Sequence, residues 1–239
     1  MSRFLFLVTS ALNTRFGVFD ADQRLQQTLE TVRSIRSRAA GARVALLEMA
    51  GQGPTVVQEQ ALKAAVDMYL DFTRNRSVVE LYQGTDNWDI VKNATEMHCF
   101  GTALRGLAQR GVLDRTGRVF KLSGRYTLNE HFDLAFYERA GVADKVVLKR
   151  RIKSQFPLEL TQIPLQYTSR LWSFPTGMAK DIADRFDRMR AYMTQRVNAG
   201  GYADIEHCLF KFLEPESVLE IDRIGVQGSL GATGFVISD

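Results

Sequence analysis

An α/β fold with a mostly parallel sheet follows from two observations. Phe4-Leu5-Phe6-Leu7-Val8 is a continuous apolar run ending in Thr9-Ser10, the pattern of a strand buried on both faces. Over residues 1–48 the pattern then runs strand, helix, strand. Two buried strands joined by a helix pair in parallel, because a crossover of that length returns the chain to the same end of the sheet.

The elements follow in order. Leu25, Leu29, Val32 and Ile35 recur at helical spacing, with Asp20 or Asp22 placed to cap and Gly41 to end the helix. Arg43-Val44-Ala45-Leu46-Leu47-Glu48 reads as the second buried strand. After the GQGP loop at 51–54, residues 56–70 read as helical, and another helical stretch falls within Asn87 to Leu107, with Asp86 or Asn87 before it. Arg118 to Leu122 is a short strand broken at Ser123-Gly124, and Val146-Val147-Leu148 is another. Met178, Ile182, Phe186, Met189, Met193 and Val197 recur at spacings of 4, 4, 3, 4 and 4, the clearest amphipathic helix in the chain. Asn198 and Gly200-Gly201 close it. A shorter helix from Asp204 to Leu213 stops before Pro215, and Ser217 to Ile221 reads as a strand. Gly225, Gly228, Gly231 and Gly234 recur every third residue with no helix after them, so the terminal segment reads as flexible rather than as a loop closing on a ligand.

No linker, repeat or low-complexity block divides the 239 residues, so a single domain over 1–239 is expected, with halves at 1–115 and 116–239. A composition of 45% hydrophobic and 24% charged residues excludes a disordered chain. Cys99 and Cys208 are too few for a disulfide scaffold and suit a reducing, cytoplasmic compartment. The early apolar run is too short to span a bilayer, so neither a leader nor a membrane partner is expected. Nothing in the sequence signals an oligomeric state.

The net charge of +4 conceals a gradient. Residues 1–47 carry seven basic and three acidic groups, and residues 105–125 six against one. Lys145 to Lys153 holds five basic residues and no acid, whereas residues 200–239 hold seven acids and two bases. Such clusters create a local field for an anionic partner, or are simply solvated faces.

Familiar motifs are absent. The chain has no G-x-x-x-x-G-K-[ST], no G-x-G-x-x-G after the first strand and no G-x-S-x-G elbow. Their absence argues against a P-loop triphosphatase, a dinucleotide oxidoreductase and an α/β-hydrolase. His98-Cys99 and His207-Cys208 lack zinc-ligand spacing, because neighbours on a helix point about 100° apart. Two segments carry chemistry. In Phe120-Lys121-Leu122-Ser123-Gly124-Arg125-Tyr126, two cations and a hydroxyl at the mouth of a parallel sheet suit a diphosphate. In Gly201-Tyr202-Ala203-Asp204-Ile205-Glu206-His207, a helix opens with two carboxylates; Asp204 alone reads as a cap, and Glu206 beside His207 is the better general base.

At these segments the chain resembles nucleotide-sugar glycosyltransferases of the GT-A type. The shared points are the strand ending in Thr9-Ser10-Ala11-Leu12-Asn13, the second strand ending in Glu48, the FKLSGRY strand, and the late helix opening with Asp204-Ile205-Glu206-His207. LVTSALNTRFGVFD, DIVKNATE, FKLSGRY and DIEH also look like a group of small phage and viral proteins associated with sugar transfer. The resemblance implies a Rossmann-like GT-A domain, with 1–115 as the nucleotide-binding half and 116–239 as the acceptor and catalytic half. It further implies that Thr9, Ser10 and Asn13 line the base and ribose, with Glu48 reaching the ribose or base edge. Lys92 and Asn93 would sit near the ribose or sugar, and Lys121, Ser123 and Arg125 at the diphosphate. Glu206, or Asp204, would take the acceptor's proton, and Trp172 would stack on a sugar or base unless it is a core residue.

One departure stands out. Such enzymes commonly hold a divalent metal on an Asp-x-Asp pair, where this chain has Ser123-Gly124-Arg125. Lys121 and Arg125 are therefore expected to neutralise the leaving group without a metal, with Asp133 and His207 as remaining candidate ligands. The function implied is transfer of a sugar from a nucleotide diphosphate (UDP among the candidates) to an acceptor hydroxyl. Two acceptors fit: a hydroxymethylated base in phage or viral DNA, tracked by Lys149, Arg150 and Arg151 in the host cytoplasm, or a surface polysaccharide or glycan. A non-enzymatic nucleic-acid-binding module would use the basic clusters but leave Asp204 and Glu206 idle.

Overall fold

In the computed structural model, which describes residues 3–231 and 233–239, the first apolar run is strand β1 (Phe4–Ser10). Its side chains alternate, so Phe6 and Val8 join one hydrophobic layer while Leu5 and Leu7 join the other. Helix α1 (Ala21–Arg38) opens on Asp20, whose carboxylate and the Gln23 side chain form a reciprocal capping box. Strand β2 (Arg43–Glu48) runs parallel to β1 and sets Ser10 opposite Glu48.

The helix expected over 56–70 ends early. Helix α2 covers Val56–Ala65, and Met68–Asp71 form strand β3, parallel to β2. Four residues are too few to show an alternating period, so the strand hides behind the helical pattern before it. Helix α3 (Arg76–Gly84) follows, then α4 (Trp88–Gln109), capped by Asn87. Strand β4 (Arg118–Ser123) lies parallel to β1 on the side away from β2, with Thr9 opposite Ser123. Beyond it come β5 (Tyr126–Leu128), β6 (Val146–Lys149), β7 (Ile152–Lys153), α5 (Leu158–Thr161), β8 (Leu165–Gln166) and β9 (Leu171–Pro175). The long amphipathic pattern is α6 (Ala179–Asn198); α7 (Ile205–Phe212) and β10 (Val218–Ile221) follow.

The main sheet has the order β10-β6-β9-β4-β1-β2-β3, antiparallel only at β9. Strands of both sequence halves share it, with β4 of the second half beside β1 of the first. Helices α4, α6 and α7 contribute to one core layer, around Phe100, Trp172 and Phe186. Helix α1 packs in the other, around Phe6, Phe120 and Ile35. Because β2 and β3 extend one way from β1 while β4 lies on the other side, the carboxyl ends of β1 and β4 form a topological switch point, where open sheets leave a crevice.

The glycine-rich terminus is not a loose tail. Val226–Ser229 form β11 and Val236–Ser238 form β12, and both join β5 in a small antiparallel sheet. The Gly231 carbonyl accepts from Val18 N at 3.1 Å, which ties this segment to the loop after β1. Gly225, Gly228 and Gly231 are closely packed: Gly225 has φ +76, and a Cβ there would strike the Phe132 backbone. Among the described residues no helix is long and apolar enough to cross a membrane.

Candidate active site

A cleft opens at the switch point. Strand β1 supplies Thr9 and Ser10, the end of β4 supplies Ser123 and Arg125, and the start of α1 supplies Arg24. Trp88, Lys92, Thr95 and Glu96 reach it from α4, where offsets of four, seven and eight residues lie on one helix face. Phe16 and Tyr82 complete an aromatic wall with Trp88, whose ring meets Phe16 edge-on at 5.4 Å.

Three cations face this space: Arg24, Lys92 and Arg125. None is ion-paired with a described residue; the single carboxylate on the lining, Glu96, belongs to another cation. Arg24 is only 5% exposed, and its guanidinium donates to the Phe19 and Phe16 carbonyls at 3.0 and 2.8 Å. Burial, and then the neighbouring Arg125 charge, lower its pKa. The buried Nε of Arg125 has no hydrogen-bond partner. Two arginines pressed together without a counter-ion make a site for a multiply charged anion. The terminal segment backs it: a Cβ on Gly231 would lie 2.8 Å from Arg125 Cζ, and one on Gly17 2.7 Å from an Arg24 nitrogen.

Lys121 stands elsewhere. Side chains alternate along β4, so Lys121 turns toward α4, 1% exposed, with its ammonium 2.5 Å from Glu96 and 2.7 Å from both Ser123 Oγ and the Ser169 carbonyl. Those acceptors use all three of its donors, which corrects the expectation that it touches the diphosphate directly. Burial alone would raise the Glu96 carboxyl, but the Lys121 ammonium outweighs it and holds the group below the usual carboxylate range. Thr9 Oγ1 reaches the same carboxylate at 3.5 Å.

Glu48 is likewise spent. Fully buried, it accepts from Ser10 Oγ at 2.7 Å, Leu12 N at 3.0 Å and Ala50 N at 3.2 Å. It clamps the loops after β1 and β2 rather than reaching a ribose. Asn13 points away from the cavity and donates to the Gly53 carbonyl at 2.7 Å. Asn93 joins two helices, donating to the Asp89 carbonyl at 2.8 Å and accepting from Ile205 N at 3.2 Å. Of the residues expected at the donor, Thr9, Ser10, Lys92, Ser123 and Arg125 line the cavity, whereas Asn13, Glu48, Asn93 and Lys121 do not.

Of the two carboxylates at the start of α7, Asp204 feels the Lys92 charge. Asp204 caps α7: its Oδ1 accepts from Glu206 N, His207 N and His207 Nδ1 at 3.0, 2.9 and 2.7 Å, and its Oδ2 from Tyr202 OH at 3.3 Å. Burial would raise its carboxyl, but the His207 ring and backbone hold it low. Glu206 accepts from Ser169 N and Oγ at 2.9 and 3.1 Å and from Gln166 Nε2 at 3.2 Å. It braces Ser169, whose carbonyl holds Lys121. Asp89, in the first turn of α4, has its pKa raised by burial and by Asp204, against the pull of Lys92. His207 Nε2 lies 2.9 Å from Ser154 Oγ, giving the connectivity of a Ser-His-Asp triad, but that oxygen already accepts from Phe156 N at 3.0 Å. The chain of bonds fastens a loop to α7.

The expected acceptor contacts change most. Trp172 is 1% exposed on β9, packed among Phe100, Phe174 and Phe186, and cannot meet a sugar or base. The tryptophan at the cavity is Trp88. Its polar setting, between Asn87 and Asp89 at a helix start, gave no apolar stripe to mark it. Three of the five cations in the basic run meet acids from the end of the chain. Lys149 pairs with Asp239, Arg150 with Asp222 at 2.7 Å, and Arg151 with Glu220 at 3.0 Å. The three residues expected to track phosphates thus already have carboxylate partners within the chain.

The metal usual in this fold does not suit these residues. Ser123 and Arg125 stand where acids would be, and Arg24 and Lys92 add charge that repels a dication. Asp133 caps a turn through Ala135 N and pairs with Arg139 at 3.0 Å, while His207 is held between Asp204 and Ser154. Among the described residues no group of three His, Cys, Asp or Glu side chains is placed to hold a metal. Cys99 and Cys208 are buried and free, and burial pushes both thiols up.

No protein-family model matches the sequence, and no curated protein does. Solved structures do match. The galactosyltransferase LgtC, in complex with donor and acceptor sugar analogues, superposes with a TM-score of 0.55 at 8% identity, over 90% of this chain and 72% of its own. The mannosyltransferase Ktr4p of S. cerevisiae gives a TM-score of 0.55 at 8% identity, over 92% of this chain and 69% of its own. The chain has the GT-A fold.

Proposed function

We propose that this protein transfers a sugar from a nucleoside-diphosphate donor to an acceptor hydroxyl. The observation that carries the reading is the convergence of Arg24, Lys92 and Arg125, none of them in an ion pair with a described residue, on an aromatic-walled cavity at the switch point of a GT-A fold. That LgtC and Ktr4p are both sugar transferases supports it.

In this reading Arg24 and Arg125 grip the diphosphate, with Lys92 at the open side. Thr9, Ser10 and Ser123 supply hydroxyls for ribose and sugar, and Phe16, Tyr82 and Trp88 give the base apolar walls. Lys121 acts from behind, balancing Glu96 so that the cavity keeps its positive field. In the transfer the acceptor oxygen bonds to the anomeric carbon, and the bond from that carbon to the phosphate oxygen breaks. Its electron pair leaves on the nucleoside diphosphate. The hydroxyl proton passes to a carboxylate at the junction of α4 and α7. Asp204 Oδ2, which meets only Tyr202, and Asp89 have free lone pairs there, whereas Glu206 is committed to Ser169 and Gln166. Fixed guanidinium groups stabilise charge growing on the leaving group without reorganising.

Calorimetry with UDP, GDP, ADP and CDP, each with and without Mn²⁺, tests the proposal. At least one should bind without metal, and Arg125→Ala should weaken it ~10- to 100-fold, the worth of a charge-assisted hydrogen bond. Absence of binding by all four overturns the reading, and binding only with Mn²⁺ overturns its metal-free form.

A further inference from the structure

Beside the cavity, across the first turn of α4, lies an aromatic platform that the donor site leaves unused. The Phe156 and Tyr202 rings pack with centroids 4.2 Å apart and planes at 40°, and Phe156 is 37% exposed. Fixings on both sides hold the platform rigid. Phe156 N donates to Ser154 Oγ at 3.0 Å, and that oxygen meets the fully buried His207 at 2.9 Å. Tyr202 N donates to the Leu160 carbonyl at 2.9 Å, and its hydroxyl reaches Asp204 at 3.3 Å. Ile205 N, next to Asp204, donates to Asn93 Oδ1 on α4 at 3.2 Å, so the platform lies against the helix whose first turns carry Trp88, Asp89 and Lys92 at the mouth of the cavity.

We propose, resting on the donor reading above, that this platform is the acceptor site and that it takes a neutral saccharide. The apolar face of a pyranose lies on Phe156 and Tyr202, while Asp89 and Asp204 Oδ2 accept from its hydroxyls. The carboxylates decide the class. A sugar hydroxyl is a donor that such oxygens can receive, whereas the phosphates of a nucleic acid would meet like charge on Asp89, Asp204 and Glu206. The basic run that could have offset this is already paired with Asp239, Asp222 and Glu220. Fixed rings on one side and a few polar atoms on the other also match how compact ligand sites combine shape with orientation.

The test compares wild type, Phe156→Ala and Phe156→Trp. Each is assayed on an array of neutral mono- and oligosaccharides, against a single-stranded DNA oligonucleotide, and by calorimetry with the nucleoside diphosphate that binds best. Wild type should bind array saccharides and transfer to at least one. Phe156→Ala should raise the acceptor KM at least tenfold with donor affinity unchanged, and Phe156→Trp should restore it. Unchanged KM in Phe156→Ala overturns the acceptor site, as does donor turnover with no saccharide accepted or transfer to the oligonucleotide. Saccharide binding lost in Phe156→Ala supports the site even if no nucleoside diphosphate binds, an outcome that would sink the donor reading alone.

Discussion

Two groups of cations in this chain have opposite fates. Lys145 to Lys153 is the densest basic run in the sequence, yet Lys149, Arg150 and Arg151 each meet an acid from the final twenty residues. Arg24, Lys92 and Arg125 lie scattered over a hundred residues, each in an unremarkable context, and the fold brings them together without closing any of them into an ion pair with a described residue. Charge density along a chain reports what a segment carries; the net field at a site depends on what the fold sets opposite it. Parallel pairing of β6 with β10 lays the acidic end against the basic run. The switch point between β1 and β4 gathers the isolated cations where strand ends leave room.

The same contrast separates the two tryptophans, and it sets the largest expected effect. Trp172→Ala should destabilise the fold by ~3–5 kcal/mol, the cost of emptying a packed aromatic site, whereas Trp88→Ala should leave the melting midpoint nearly unchanged and weaken nucleoside-diphosphate binding. Denaturant titration and calorimetry on both variants decide it. The reverse pattern would exchange their roles.

Breaking the cation comparison comes next in size. Arg24→Ala should reduce donor affinity by ~10-fold or more, since a charge-assisted contact to phosphate contributes about 1.5–3 kcal/mol. Arg150→Ala/Arg151→Ala should leave that affinity within error. Equal losses in the two variants would mean that the basic run shares the donor's field after all.

The smallest effect concerns acid stability and sharpens the picture of α7. The Asp204 carboxyl is held below its ordinary value, so the unfolded chain binds its proton more readily. The stability it confers is present above that ordinary value and is lost as pH falls through the depressed one. Asp204→Asn keeps the cap but should flatten the decline in urea stability below about pH 4. A slope identical to wild type would show that Asp204 is not held in its charged form.

Much of the fold was legible. The runs at Phe4–Val8 and Arg43–Glu48, the capped helix between them and the long stripe from Met178 to Val197 all appear where their periods place them. Two short strands were not: β3 is shadowed by the pattern of α2, and β9 carries Trp172, which read as either a stacking residue or a core one. At the site, Thr9, Ser10, Ser123 and Arg125, at strand ends, line the cavity, and so does Lys92, which the family resemblance had placed near the ribose or sugar. Arg24 escaped notice because a basic residue in the first turn of a helix resembles any solvated charge, and only its burial against the Phe16 and Phe19 carbonyls distinguishes it. Glu48 and Lys121 show the opposite failure. Both are polar residues at strand ends, where ligands bind, but the nearest donors and acceptors belong to the protein itself.

Local period and capping, which act over a few residues, were thus set by the sequence alone: the parallel α/β core, the carboxyl-end location of a crevice, and the absence of an acidic pair after β4. Only the tertiary structure decided which charges remain unanswered. Neutralisation is a pairwise matter across long sequence separations, as between Lys121 and Glu96 or Arg151 and Glu220, and no periodicity in either partner's neighbourhood encodes it. The functional charge of this protein is what that long-range pairing leaves over, and it is left over at Arg24, Lys92 and Arg125.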